Sequence, residues 1–314
     1  MISCYCLDYN TWVFIPRHVK EDFDEMREMG IDTVCLSFSE NDMAYARRTF
    51  EQLVELAHEA GLRVFVIPSR IAGRFAGAPL MPSVWLARNP QYAVPYWLPI
   101  GCLECKEVRD FIKDFVHTII RDYAIDGIVW DEPKGIPQIS HHPATVARFG
   151  ENPTKENMVD SFCEFFTDLV KSCHDLNPKL IQTLFCQATE DPAITGRLAK
   201  TPHLDYFGYD GNLSKQRVFH EPMAETKYRI EECWDRTVLE CEKANVGTFA
   251  LVESMCMPRE EHENFERDFD HYLTHYHPDH LSVYYYAHNA DDPEELNEII
   301  KRTMKKHFVV PDRV

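Results

Sequence analysis

Two acidic segments carry the residue types that chemistry would need. In Asp126-Gly-Ile-Val-Trp-Asp-Glu-Pro133 an apolar run ends on the pair Asp131 and Glu132, and Pro133 stops the strand. In Phe249-Ala-Leu-Val-Glu-Ser254 a second apolar run ends on the lone Glu253. Other short runs close on Asp8 and Tyr9, on Ser39 and Glu40, on Arg70, on Gln187, on Tyr209 and Asp210, and on His288 and Asn289. Carboxylates recur in this set, which suits proton transfer and nucleophilic attack. Cleavage of a glycosidic bond needs two carboxyl groups flanking that bond, about 5–5.5 Å apart when configuration is retained. A single acid at a strand end is equally well a cap or a loop ion pair. The pairing of Glu132 with Glu253 across one opening therefore carries the reading, and Asp8, Arg70, Trp130, Asp131, Gln187, Tyr209, Asp210 and His288 are the candidate substrate contacts.

These residues must be positioned by the elements they terminate. Short β-branched or aromatic runs alternate with amphipathic stretches of helical period. The runs cover residues 2–8, 33–38, 63–68, 127–130, 180–186, 204–209, 247–252 and 281–287. Helical stretches follow at about 19–29, 42–60, 107–123, 157–176, 193–200, 221–245, 259–275 and 293–307. Gly30, Gly61 and Asn245 supply C-terminal stops. Eight strand–helix units in strict alternation predict a parallel sheet closed into a single (β/α)8 TIM barrel spanning residues 1–314. An open doubly wound sheet is the rival. It usually carries a glycine-rich loop after its first strand, where this chain has Leu7-Asp8-Tyr9-Asn10. In a barrel the C-terminal strand ends form the active face. The connection from Ser69 to Lys106 is far longer than an ordinary loop and holds Arg70, Arg74, Trp85, Tyr92, Tyr96, Trp97 and five prolines. It reads as a lid or subsite wall.

Composition narrows the partners. The chain has 314 residues, 45% hydrophobic and 27% charged, and a formal net charge of -18. Nucleic acid and anionic membrane surfaces both call for clustered Lys and Arg, so neither is expected. A small neutral or cationic ligand is. The N-terminus lacks a basic segment followed by an apolar one, and no apolar run nears the ~20 residues of a membrane span. A soluble, cytoplasmic protein is the expectation.

The segment Trp130-Asp-Glu-Pro133 resembles the Asn-Glu-Pro signature after the fourth strand of the retaining β-glycosidases of glycoside hydrolase clan A. The resemblance implies that Glu132 is the acid/base, that Glu253 is the nucleophile at the end of the seventh strand, and that no cofactor is needed. Asp131 departs from the clan's asparagine. Its charge, with burial beside Trp130, should raise the Glu132 pKa as a general acid requires. The same region is also similar to retaining α-glucosidases and α-galactosidases, for which Asp131 would be nucleophile and Asp210, in Phe207-Gly-Tyr-Asp-Gly-Asn212, the acid/base. A chitinase-like alternation of acids fits less well, because Val129 and Pro133 occupy acidic positions. A non-hydrolytic sugar-binding barrel and a sugar lyase or isomerase remain as readings from other classes, since fold does not fix function.

Eleven scattered cysteines read as buried free thiols. Cys102 and Cys105 have CxxC spacing, but the sequence offers no second pair or matching histidines nearby, so no metal site is expected. His271, His275, His277 and His280 precede the eighth strand, on the face opposite the active one, and read as solvated or capping. His141 and His142 follow the fourth strand and are better placed for a ligand. Tyr284, Tyr285 and Tyr286 read mainly as strand packing.

Overall fold

The computed structural model describes residues 1–6, 15–78, 80–214, 229–284 and 289–308. Asp8 and His288 lie outside them. Eight strands close into a parallel barrel: β1 (Ile2–Cys6), β2 (Thr33–Ser39), β3 (Arg63–Ser69), β4 (Gly127–Asp131), β5 (Ile181–Gln187), β6 (Tyr206–Asn212), β7 (Gly247–Glu253) and β8 (His280–Tyr284). Each strand pairs with its sequence neighbours, and β1 pairs with β8 through Ile2 opposite Leu281.

The helices are α1 (Pro16–Glu28), α2 (Glu40–Tyr45), α3 (Arg47–Glu59), α4 (Val84–Arg88), α5 (Lys106–Asp122), α6 (Pro143–Phe149), α7 (Lys155–Leu176), α8 (Pro192–Leu198), α9 (Trp234–Ala244), α10 (His262–His275) and α11 (Pro293–His307). The expected stretch at 42–60 is split at Ala46, and α6 is an addition that the sequence reading lacked. Gly30, Gly61 and Asn245 all adopt left-handed backbone, with φ of 87°, 79° and 57°, as helix stops require. No helix of the described residues is long and apolar enough to cross a membrane.

Two apolar layers follow from strand alternation. Tyr5, Cys35, Phe65, Val129, Phe185 and Phe249 pack inside the barrel. The intervening residues, such as Ile128, Trp130, Leu184 and Tyr209, pack between barrel and helices. At Gly208 a β-carbon would fall 1.8 Å from the Phe249 carbonyl, so glycine is required where β6 and β7 converge. Toward the opposite end, His280 is fully buried, bonded to Ser3 Oγ at 2.9 Å and edge-on to Phe249. It is a neutral core histidine, and burial drives its pKa well below the usual range. The solvated reading of His280 is thus corrected: it opens β8 and faces the barrel interior.

The long connection is built, not loose. Glu40 accepts hydrogen bonds from Ser83 Oγ and the Trp85 amide, both at 2.7 Å, and from the Ala72 amide at 3.0 Å. This strand-end acid is therefore a loop anchor. Trp85 stacks on Tyr92 and on Phe111 of α5, with ring centres 5.6 and 4.5 Å apart. A two-stranded ribbon, Ala93–Val94 with Ile100–Gly101, holds up the tip. Part of the aromatic content therefore serves packing. Tyr96 and Trp97 remain at the tip, and Trp97 is 58% exposed.

Candidate active site at the barrel mouth

β4 delivers its two acids by different means. Val129 and Asp131 face the interior by alternation, and Asp131, 3% exposed, accepts a hydrogen bond from the Tyr5 hydroxyl. Alternation alone would send Glu132 outward. Its backbone instead turns left-handed, φ 35°, a conformation costing a non-glycine residue about 1–3 kcal/mol. The turn is held by backbone bonds on both sides: the Glu132 amide donates to the Phe185 carbonyl at 3.1 Å, and the Ala76 amide donates to the Asp131 carbonyl at 2.8 Å. The Glu132 carboxylate then meets Lys134 in an ion pair and accepts from Gln187 Nε2 at 3.2 Å.

β6 and β7 complete the cluster. Asp210 lies between Gln187 and Leu251 in the ladder, and Glu253 is opposite Asn212. The Asp210 carboxyl hydrogen-bonds both Glu132 and Glu253. Burial, and then the charges of Glu132 and Glu253, push the Asp210 pKa well above the carboxylate range. Burial and two acidic neighbours thus favour the protonated form of Asp210, which is placed to share a proton with Glu132 and Glu253. At Glu132 burial opposes ionisation, but the Lys134 charge and hydrogen bonds from Asp210, Lys134 and Gln187 outweigh it and hold the pKa below its ordinary value. The expected upward shift of Glu132 is thus corrected. Its cause is Lys134, two residues downstream, together with hydrogen bonds from Asp210 and Gln187.

Asp131 behaves in the opposite way. Burial and then the Glu132 charge raise its pKa to about 7, against smaller opposing effects of Tyr5, Lys134 and Arg70. An unfolded aspartate ionises near pH ~3.9. A raised folded pKa means stability that is present at low pH and lost as pH climbs through that window, at about 1.4 kcal/mol per unit. Asp131→Asn keeps an oxygen for the Tyr5 hydroxyl and cannot ionise. It should melt at a higher temperature than wild type near pH ~8 and at a similar one near pH ~4. Parallel melting profiles for the two proteins across that range would contradict the assignment.

Two expected contacts are elsewhere. Trp130 is 0% exposed and packs against Phe75 and Phe166, its indole donating to Gln182 at 3.3 Å. Tyr209 is 1% exposed and donates its hydroxyl to Glu240 of α9, with the Arg236 guanidinium 4.6 Å from the ring centre. Both precede an inward acid by one residue, so alternation turns them toward the helices. Neither can touch a ligand at the mouth. Arg70 does sit on this face: Nε donates to the Gly77 carbonyl at 2.9 Å, and the guanidinium lies 5.7 Å from the Trp97 ring centre.

A cleft of about 260 Å³ opens beside the cluster, bounded by Glu132, Lys134, Gln187, Glu190, Tyr96 and Lys155. That is just under the ~300–1,000 Å³ usual for small-molecule sites. Lys134 and Tyr5 were not foreseen as site residues, and Tyr96 was expected only as part of the long connection's wall. Lys134 was legible only as a cation just past the Glu-Pro turn. His142 is not at the cleft. It accepts the Ala144 amide at the start of α6 at 3.1 Å, hydrogen-bonds the Gln91 carbonyl at 2.7 Å, and lies beside Cys102 and Cys105. The CxxC pair thus has a histidine neighbour that sequence spacing did not disclose.

No family sequence profile matches the chain, and no curated protein is similar to it in sequence. Solved structures are similar in fold. A β-galactosidase from the haloarchaeon Halorubrum lacusprofundi superposes with a TM-score of 0.71 at 10% identity, over 98% of this chain and 58% of that one. A β-galactosidase from Marinomonas ef1 gives 0.62 at 11% identity, over 97% and 59%. The endo-1,4-β-mannanase from Rhizomucor miehei gives 0.62 at 9% identity, over 97% and 94%. The chain spans less than two thirds of either galactosidase and nearly all of the mannanase.

Proposed function

We propose that the chain is a glycoside hydrolase that cleaves a small carbohydrate by a two-carboxylate retaining mechanism, without a cofactor. The observation that carries the reading is the hydrogen-bonded series Glu132–Asp210–Glu253 at the strand ends of one barrel mouth. One carboxyl hydrogen-bonded to two others gathers three acids at a single opening, and a retaining mechanism needs two of them to flank the scissile bond. Glu253 attacks the anomeric carbon. Glu132 and Asp210 share the proton that reaches the leaving oxygen, so the acid is the pair and its pKa belongs to both. Lys134 and Gln187 orient Glu132, and Arg70, Tyr96 and Trp97 supply a stacking and hydrogen-bonding wall. The barrel likeness to the galactosidases and the mannanase, each named for a glycosidase activity, supports the same class. The small cleft, in which two acids are matched by two lysines, favours a short neutral sugar over a charged polymer.

A second reading makes Asp131 nucleophile and Asp210 acid/base, for an α-glycoside. The raised Asp210 pKa favours its second half. The near-complete burial of Asp131 under Tyr5 speaks against the first. Proton NMR of a dinitrophenyl β-glycoside during turnover decides between mechanisms. The β-anomer should form first and then mutarotate. First-formed α-product from a β-glycoside would mean inversion and overturn the retaining reading.

A further inference from the structure

We propose that Cys102, Cys105 and His142 form a zinc site that fastens two loops of the active face to each other. One ligand atom from each residue lies within 4.8 Å of the other two. Cys105 Sγ is 3.7 Å from His142 Nδ1. Tetrahedral zinc, with Zn–S of about 2.3 Å and Zn–N of about 2.0–2.1 Å, places sulfur and nitrogen about 3.6 Å apart. Small side-chain movements therefore suffice to enclose an ion.

The surroundings suit such a site. His142 Nε2 is 2.7 Å from the Gln91 carbonyl, which can only accept, so that nitrogen carries the proton and Nδ1 presents the lone pair. A ring proton given to a backbone carbonyl is the usual way a ligating histidine is oriented. Nδ1 now accepts the Ala144 amide at 3.1 Å, a bond the ion would replace. Glu104 Oε2 lies 3.3 Å from Cys102 Sγ and offers a carboxylate oxygen for the fourth position. Thr145 and Ser161 hold the Glu104 carboxylate in place. Charge is provided for as well. Arg74 is 6% exposed and donates to the carbonyls of Gly101, Lys134 and Gly135, and Glu104, Cys102 and Tyr96 are acidic groups bearing on it. The ion and Arg74 together balance two thiolates and the Glu104 carboxylate.

Binding releases one proton from each thiol, and no electron transfer is involved. The site joins the segment between the ribbon and α5 to the start of α6. Through Arg74 it also backs the turn that carries Lys134. It is independent of which bond, if any, the barrel cleaves.

The test uses the full-length protein, purified under reducing conditions and then incubated with zinc and passed over a desalting column. Elemental analysis should give about one zinc per chain. Cobalt in place of zinc should give a thiolate-to-metal charge-transfer band and the intense visible bands of tetrahedral cobalt. Cys105→Ser and His142→Ala should each lower bound zinc by at least about tenfold. Cys163→Ser, on α7, should leave it unchanged. Circular dichroism checks that each variant is folded. Cys105→His, which restores a ligand, should retain the metal even if the serine variant is unstable. Absence of zinc from the incubated protein, equal zinc in all variants, or a mass two hydrogens short with a Cys102–Cys105 disulfide in its place would each overturn the proposal.

Discussion

Glu253→Gln should abolish hydrolysis while leaving the fold intact. The side chain stands at the end of β7, half-buried, bonded to Asp210 and facing the mouth. Glutamine fills the same volume and can still hydrogen-bond Asp210, so packing is preserved. It cannot attack an anomeric carbon, and removal of a nucleophile costs on the order of 10⁴–10⁶ in turnover. The loss should appear with activated aryl glycosides as well as natural ones, because the nucleophile is needed whatever the leaving group. Near wild-type turnover on a dinitrophenyl glycoside would remove Glu253 as nucleophile and move attention to Asp131 and Asp210.

Glu132→Ala should produce a different pattern. Proton donation matters most for poor leaving groups and contributes about 10²–10⁴-fold. Cleavage of a natural glycoside should fall by that order, while the first step on a dinitrophenyl glycoside is spared. The glycosyl-enzyme then waits for a base that is missing. Azide needs none, so it should restore turnover and yield a β-glycosyl azide from a β-glycoside. The same substitution removes the anionic partner of Lys134 and one of the two charges that raise Asp210. The alkaline limb of the pH profile, set by ionisation of the acid, should therefore move to lower pH as well. Equal losses on both substrates without azide product would contradict this role. Rescue in Asp210→Ala with an α-configured product would install the Asp131 and Asp210 pair instead.

The barrel was legible because eight strand-like runs and helical stretches alternate with few breaks, and because stops such as Gly30 and Asn245 have one backbone conformation to offer. The mouth was legible only in part. Sequence shows which residue ends a strand but not which face it takes. Trp130 and Tyr209 were assigned to the ligand although Asp131 and Asp210, one residue on, point inward. Period-two parity was available and would have excluded both. Glu132 breaks that parity, and nothing in Trp-Asp-Glu-Pro announces a left-handed residue there. Lys134 reverses the expected pKa of Glu132 from outside the strand. Asp210 was foreseen as a contact, yet its place between two glutamates depends on how β4, β6 and β7 are registered. His142 reaches Cys105 across 37 residues, a distance over which spacing carries no signal.

The central claim is that Glu253 becomes covalently bound to sugar across a cluster in which Asp210 holds the proton. Incubation with a panel of dinitrophenyl 2-deoxy-2-fluoro-β-glycosides, followed by peptide mapping by mass spectrometry, tests it most directly. The fluorine slows both steps and the good leaving group speeds only the first, so the glycosyl-enzyme accumulates. The account predicts a single fluoroglycosyl adduct on Glu253, lost in Glu253→Gln and still formed in Glu132→Ala. An adduct on Asp131, Glu132 or Asp210, or no adduct with any member of the panel, would contradict it.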